Sequence, residues 1–200
     1  LKGSLKALEM AVLWGGPPGL KTAVSGIKAN VGFLERLVLD PAEVKESLVA
    51  DLLAHAARRL QTARDPEGAM VALLRALEAC AQRQLYAQHK IKSWDVRLES
   101  LPPAIQETCR TCYLDDVDGK YKLPLQAQFR TLAGLGDQLG QSFLRAWPTM
   151  KPMLDAASHA VLGHGFEPIK GERVQQLYEV VVKLSGVNEA MLPKFPALTL

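Results

Sequence analysis

The segment VADLLAHAARRLQ (residues 49–61), followed by DPEGAMVALLRALEACAQRQL (residues 65–85), decides the fold. Apolar residues recur in both segments at intervals of three and four, which is the spacing of one face of an α-helix. Asp65 and Pro66 suit the N-cap and the first helical position of the second segment. The two segments therefore predict a pair of long helices joined by a tight corner.

The rest of the chain continues this helical periodicity. Ala and Leu are abundant and aromatic residues make up only 6%, a composition that favours packed helices over a sheet. No segment is a confident strand, so we predict an all-α, multi-helix bundle of about seven or eight helices. The predicted helices are 5–14, 20–39, 41–64 (with Asp40 as its N-cap), 66–90, a short one from Pro103, 123–147, 149–164 and 171–184.

The predicted organisation has three parts: an N-terminal helical region or linker (residues 1–48), a helical domain (49–187) and a Pro-containing C-terminal tail (188–200). An apolar content of 48% over 200 residues suffices for one sizeable core. No apolar run approaches the length of a membrane span, and no secretory leader is visible. Three cysteines are an odd number, which is typical of a reducing compartment. We therefore expect a cytoplasmic protein without membrane contact.

Three segments resemble known binding motifs but lack a residue that each motif requires. Residues 15–22 look like a phosphate-binding loop, but no glycine directly precedes Lys21. Cys109 and Cys112 form a C-x-x-C without the second pair of a zinc site. The acidic turn 115–119 lacks the downstream glutamate of a calcium loop. We expect no cofactor and no metal.

A second segment, DAASHAVLGHGF (residues 155–166), carries the candidate chemistry. Ala157, Val161 and His164 fall at i, i+4 and i+7, so the spacing predicts that they share one helix face. We expect the helix to end at His164, with Gly165 in the left-handed conformation just beyond it. A histidine there is suited to proton transfer near neutral pH, although a capping histidine has the same pattern.

The two segments together resemble one family. The hairpin resembles that of CRISPR-associated CARF–HEPN proteins, in which an LL-NA-RR helix precedes an A-RLYRALE--AQ helix. HEPN ribonucleases carry an R-x(4–6)-H motif, which in this branch reads R-N-x-S-x-L-x-H-G-F. The stretch VLGHGF (residues 161–166) is similar to its second half, with His164 on the family histidine. The resemblance covers roughly residues 49–184.

The first half of the motif departs from the family. The motif arginine falls on Ala157, and the asparagine that follows it falls on Ser158. Two interpretations stay open: the domain has lost activity naturally, or its arginine was replaced deliberately. In both cases we expect little RNA cleavage by this chain, because a cation that stabilises the transition state is missing.

The resemblance implies a metal-independent endoribonuclease of type III CRISPR antiviral defence that cleaves single-stranded RNA. An N-terminal CARF domain, to which residues 1–48 would be the linker, binds cyclic oligoadenylate in the family and activates the HEPN domain. No DNA partner is predicted. We also expect a homodimer with a composite site, since seven residues of helix separate His164 and position 157 by about 10 Å.

Two further expectations complete the sequence-based interpretation. Arg58 and Arg59 are candidates for contact with RNA phosphates, although a solvated helix face explains them equally well. The alternative to a ribonuclease is a non-catalytic helical module for dimerisation or RNA binding, which the absent arginine and the small net charge of +3 favour.

Overall fold

A computed structural model of the chain describes residues 2–40 and 46–196, and it confirms the all-α prediction. Within these ranges there is no β-strand, and only two isolated β-bridges occur, between Leu114 and Tyr121 and between Ala160 and Glu167. The α-helices of the described residues are α1 (Lys2–Leu13), α2 (Pro18–Leu39), α3 (Glu46–Arg58), α4 (Pro66–His89), α5 (Pro103–Cys112), α6 (Leu125–Gly134), α7 (Gln138–Ser158) and α8 (Gly171–Ser185).

The predicted corner between α3 and α4 is confirmed. A π-helical turn, Arg59–Ala63, continues α3, and Arg64 then adopts a left-handed conformation with φ of 51°. Asp65 caps α4, since its Oδ1 accepts a hydrogen bond from the backbone N–H of Gly68 at 2.8 Å. The expected start of the preceding helix, at residues 41–45, lies outside the described residues.

Helix α4 is the centre of the bundle. It packs against α3, α6, α7 and α8, while α7 also packs along α6 and α8. The rings of Phe129 (α6) and Phe143 (α7) stack at the middle of the core, with centroids 3.8 Å apart. The largest fully buried side chains, which come from α3, α4, α6, α7 and α8, are Phe129, Phe143, Leu53, Met70, Leu73, Leu77, Leu85, Leu132, Met150, Leu177, Gln128 and Val49.

The predicted helix break at Pro148 is wrong. Helix α7 passes through both Pro148 and Pro152, and the break lies instead before it, where Gly136 has φ of 80°. Each proline removes one N–H from the helical ladder. Both prolines are exposed, so water can bind the carbonyls that lose a donor, while the opposite face of α7 stays packed.

The predicted helix end at His164 is also wrong. Helix α7 ends at Ser158, and His159 is its C-cap with φ of −91°. Residues 159–167 form a turn segment, which we call the reversal loop.

The C-terminal tail lies across the N-terminal half of the bundle. The side-chain amide of Asn30 in α2 donates a hydrogen bond to the carbonyl of Lys194 at 2.9 Å, and Pro196 lies against Gly26 of the same helix. The described part of the tail therefore joins α2 to the helical domain.

Candidate functional site

The reversal loop brings His164 back toward the end of α7. The backbone N–H of His164 donates to the carbonyl of Ser158 at 3.0 Å, and that of Gly165 donates to Ala160 at 3.1 Å. These bonds turn the chain back over the last helical turn. His164 therefore does not continue along the helix axis, and the expected 10 Å axial separation from position 157 does not apply.

Two glycines make this reversal sterically possible. A Cβ atom on Gly163 would collide with the carbonyl oxygen of Ala157, and one on Gly165 would collide with the carbonyl of His159. Gly165 is not among the described residues with positive φ, so the expectation of a left-handed glycine after the helix is wrong. The requirement for glycine comes from close backbone approach instead.

Ala157 and His164 line the same open groove, which we call the site groove and whose volume is about 400 Å³. Ser158 lines it as well, so the structure brings together the three positions that the motif selects. The walls come from α4, from the start of α6 and from α7, and the remaining lining residues are Leu74, Pro124, Leu125, Gln126, Trp147, Leu154, Asp155 and Gly163.

The site groove contains no free cation. Ala157 is only 8% exposed, whereas His164 is exposed to solvent. Asp155 forms an ion pair with Lys151 at 2.6 Å one helical turn earlier. None of the described residues that line the groove is an arginine or a lysine. The groove thus offers a histidine for proton transfer but no partner for phosphate charge.

Arg58 and Arg59 lie elsewhere and are engaged in other contacts. The Arg58 guanidinium lies over the ring of Phe195 at 4.8 Å and donates to the carbonyl of Pro193 at 3.4 Å. Arg59 forms an ion pair with Asp65 at 2.6 Å. Arg58 therefore contacts the C-terminal tail, and Arg59 stabilises the α3–α4 corner. Contact of either arginine with RNA stays a prediction.

Sequence reasoning missed most of the groove walls. Trp147, Leu154 and Ser158 lie at i, i+7 and i+11, which is one face of a helix. A continuous helix through Pro148 would therefore have predicted Trp147 and Leu154 beside the motif. Gln126 reaches the groove from the start of α6 through tertiary packing, and no local signal in the sequence marks it.

Other expectations concern metals, cysteines and membranes. Within residues 2–40 and 46–196, no three His, Cys, Asp or Glu side chains lie close enough together to hold a metal ion. Cys80, Cys109 and Cys112 are all free thiols. No described helix is both long and apolar enough to span a bilayer.

The all-α bundle of eight described helices is consistent with the class of HEPN domains. The family model of the Csm6 HEPN domain matches residues 42–188. The chain belongs to this CRISPR-associated family, and its function is of the ribonuclease type. No curated protein and no solved structure matches the chain at a significant level.

Proposed function

We propose that this chain is a metal-independent endoribonuclease domain that acts on single-stranded RNA through the site groove. The observation that supports the proposal most is that Ala157, Ser158 and His164 line one groove. The family model adds RNA as the class of substrate.

The chemistry needs few groups. Cleavage of RNA without a metal requires the 2′-hydroxyl to attack the adjacent phosphorus, with loss of its proton and protonation of the leaving 5′-oxygen. His164 is the exposed group in the groove that is suited to a proton transfer. An arginine at position 157 would stabilise the negative charge of the phosphorane, because its planar fork pairs with phosphate oxygens.

With Ala157 in place, the chain keeps the proton-transfer group and lacks the cation. Loss of one such electrostatic group typically lowers the rate by about 10²–10³. We therefore propose that this chain cleaves RNA slowly or not at all. Ala157 is 8% exposed and lines the groove of about 400 Å³, so an arginine at position 157 would have to extend along this groove to reach solvent.

We also propose that the chain forms a homodimer, and the argument for it is an exposed apolar cluster. The axial distance between the motif positions no longer argues for a composite site. The reversal loop instead exposes three apolar side chains beside the groove: Val161 is 57% exposed, Leu162 is 59% exposed and Phe166 is 94% exposed. An apolar cluster at the edge of a groove favours a protein contact, and we propose a second copy of the chain as its partner.

The remaining parts of the proposal follow from the family. Activation by cyclic oligoadenylate would act through a CARF domain, with residues 1–48 as its connection to the HEPN domain. The domain would work in the cytoplasm and need no cofactor.

Restoring the arginine tests the proposed activity. Single-stranded RNA is incubated with the Ala157→Arg variant and with the Ala157→Arg/His164→Ala double variant, in buffer with EDTA. We expect cleavage by the single variant to exceed that of the parent chain by about 10²-fold or more, and we expect the double variant to lose it. Absence of cleavage from a folded, dimeric Ala157→Arg variant contradicts the proposal.

The second candidate function is a non-catalytic module for dimerisation or RNA binding, which Ala157 favours. This candidate predicts that the parent chain binds RNA in a salt-sensitive way and that the Ala157→Arg variant binds more tightly without cleaving. A natural gene that encodes alanine at this position would support it further.

A further inference from the structure

A second groove, on the opposite side of α7, gathers three cations. It lies between α4, α7 and α8, has a volume of about 790 Å³, and is lined by Arg83, Arg145 and Lys183, one from each helix. We call it the basic groove. Ser142, Thr149 and Ser185 also line this groove, and the hydroxyl of Ser185 donates a hydrogen bond to the carbonyl of Val182 at 2.8 Å.

The three cations have no acidic partner. None of them forms an ion pair within the described residues, and Arg145 donates a hydrogen bond to the Ser142 hydroxyl at 3.0 Å. Other surface cations of this chain do form ion pairs, as Arg75 does with Glu78 and Arg110 with Glu107. Three unpaired cations around one groove repel each other, and an anionic ligand would remove this repulsion.

Asp137, the one acidic residue among the described residues that line the basic groove, accepts hydrogen bonds from other groups. Asp137 is the N-cap of α7, where Oδ1 accepts from the backbone N–H of Leu139 at 2.8 Å. Its Oδ2 accepts from the side-chain amide of Gln84 at 2.7 Å. The side chain of Asp137 is only 8% exposed, and its contact with a titratable side chain is to His89 Nε2 at 3.7 Å, so no ion pair joins it to any of the three cations.

The basic groove and the site groove are separate. Arg145 and Thr149 each lie two residues from Trp147, which lines the site groove, and two residues correspond to about 200° around a helix. Thr149 and Ala157 are also about 12 Å apart along the axis of α7. The cations of the basic groove therefore cannot reach a phosphate that reacts beside His164.

We propose that the basic groove binds the phosphodiester backbone of single-stranded RNA away from the site groove, an inference that rests on the proposed function. The groove holds three unpaired cations together with the hydroxyl groups of Ser142 and Thr149, and groups of both kinds contact phosphate and sugar oxygens. None of the described residues that line the groove is aromatic, so these residues provide no stacking platform for base recognition. A protein partner would be anchored by large aromatic or apolar side chains, and the apolar lining here is limited to aliphatic residues such as Leu139, Val180 and Leu184.

The test compares two triple variants with the same net charge. One is Arg83→Gln/Arg145→Gln/Lys183→Gln, and the other is a control that removes three paired cations, Arg75→Gln/Arg110→Gln/Lys120→Gln. Both remove three positive charges from a chain of formal net charge +3. Binding of a fluorescent single-stranded RNA is measured between about 50 and 200 mM salt, where phosphate contacts dominate affinity. Circular dichroism checks that both variants are folded.

We expect the groove variant to lose about two units of the slope of log K against log salt, since each phosphate contact on a single strand contributes about 0.7. Its affinity at the low-salt end should fall on the order of tenfold, and the control variant should bind like the parent chain. A gain-of-function variant gives an independent test. Thr149→Arg adds a cation to the basic groove and should raise the affinity for single-stranded RNA.

Three results would overturn the inference: equal binding by the groove variant and the control, no effect of Thr149→Arg, or no salt-sensitive RNA binding by the parent chain. Its failure is distinguishable from failure of the proposed function, because cleavage by Ala157→Arg is measured separately. In that background the groove substitutions should raise KM and leave kcat nearly unchanged, since the basic groove does not touch the reacting phosphate.

Discussion

The backbone N–H of His164 donates a hydrogen bond to the carbonyl oxygen of Ser158 at 3.0 Å, across the end of α7. A spacing of seven residues would place His164 about 10 Å along a continuous helix from position 157. Because α7 ends at Ser158 and the chain reverses, both positions line one groove instead. Each copy of the chain thus contributes both motif positions to a single groove.

Adding a methyl group to either glycine of the reversal loop should destabilise it. A Cβ on Gly163 or Gly165 would collide with backbone carbonyl groups, which cannot rotate away as a side chain can. We expect Gly163→Ala and Gly165→Ala each to lower the free energy of unfolding by about 1–3 kcal/mol. Urea denaturation provides the measurement. The control is Gly171→Ala, where a Cβ meets nothing within 4 Å; equal stability of all three variants would show that the reversal does not need glycine.

Substitution of a buried and of an exposed phenylalanine should affect different properties: the first the stability of the fold, the second dimerisation. Phe143 is fully buried and stacks on Phe129, whereas Phe166 in the reversal loop is 94% exposed. We expect Phe143→Ala to cost about 3–5 kcal/mol of unfolding free energy, and Phe166→Ala to change it by less than about 0.5 kcal/mol. Sedimentation should show weaker dimerisation of the Phe166→Ala variant. Unchanged dimerisation would argue against the reversal loop as the dimer contact.

The α3–α4 corner should make stability depend on pH in the acidic range. The backbone N–H of Gly68, followed by the Arg59 guanidinium, lowers the pKa of Asp65 below its usual value of 3.8. A lowered folded-state pKa means that the carboxylate stabilises the fold above the unfolded pKa, and that this contribution is lost as the pH falls through the folded pKa.

Two substitutions of Asp65 separate its charge from its hydrogen bond. Asp65→Asn keeps a capping oxygen without the charge, so its stability should lie below that of the parent at pH 7 and approach it below about pH 4. Asp65→Ala removes the cap as well and should cost about 1 kcal/mol more. Thermal melts between pH 7 and pH 3 measure both effects. A difference between Asp65→Asn and the parent that stays constant with pH would contradict the charge effect.

The three thiols should differ in reactivity. Burial raises the pKa of Cys80 to about 11 and also raises the pKa of Cys109, whereas Cys112 is exposed. A rise of two units from 9.0 lowers the thiolate fraction of Cys80 about 100-fold near neutral pH. We expect iodoacetamide at pH 8 to modify Cys112 in the native chain and the other two only after denaturation, as followed by mass spectrometry. Equal alkylation of Cys80 and Cys112 in the native chain would contradict the burial of Cys80.

Part of the fold was readable from the sequence because the signals are local. Asp65 and Pro66 marked the start of α4, and Met70, Leu73, Leu77 and Leu85, which follow at helical spacing, are buried in the bundle. The predicted boundary between helices 123–147 and 149–164 falls on Pro148, but α7 continues through it, because a proline on the exposed side of a packed helix costs only a hydrogen bond that water replaces. Whether a proline ends a helix depends on which face it occupies, and that face is fixed by tertiary packing.

The sequence by itself determined the helical class, the α3–α4 hairpin and the family, and it predicted Ala157 and His164 as the motif positions. Only the tertiary structure decided that α7 ends at Ser158, that His164 returns to the groove, and that Arg58 and Arg59 hold the tail and the corner. The physical reason is the sequence separation over which the interactions act. Helix periodicity and caps act over three or four residues, whereas the reversal loop depends on hydrogen bonds across six residues and on contact between distant backbone segments that leaves no room for a Cβ at Gly163 or Gly165.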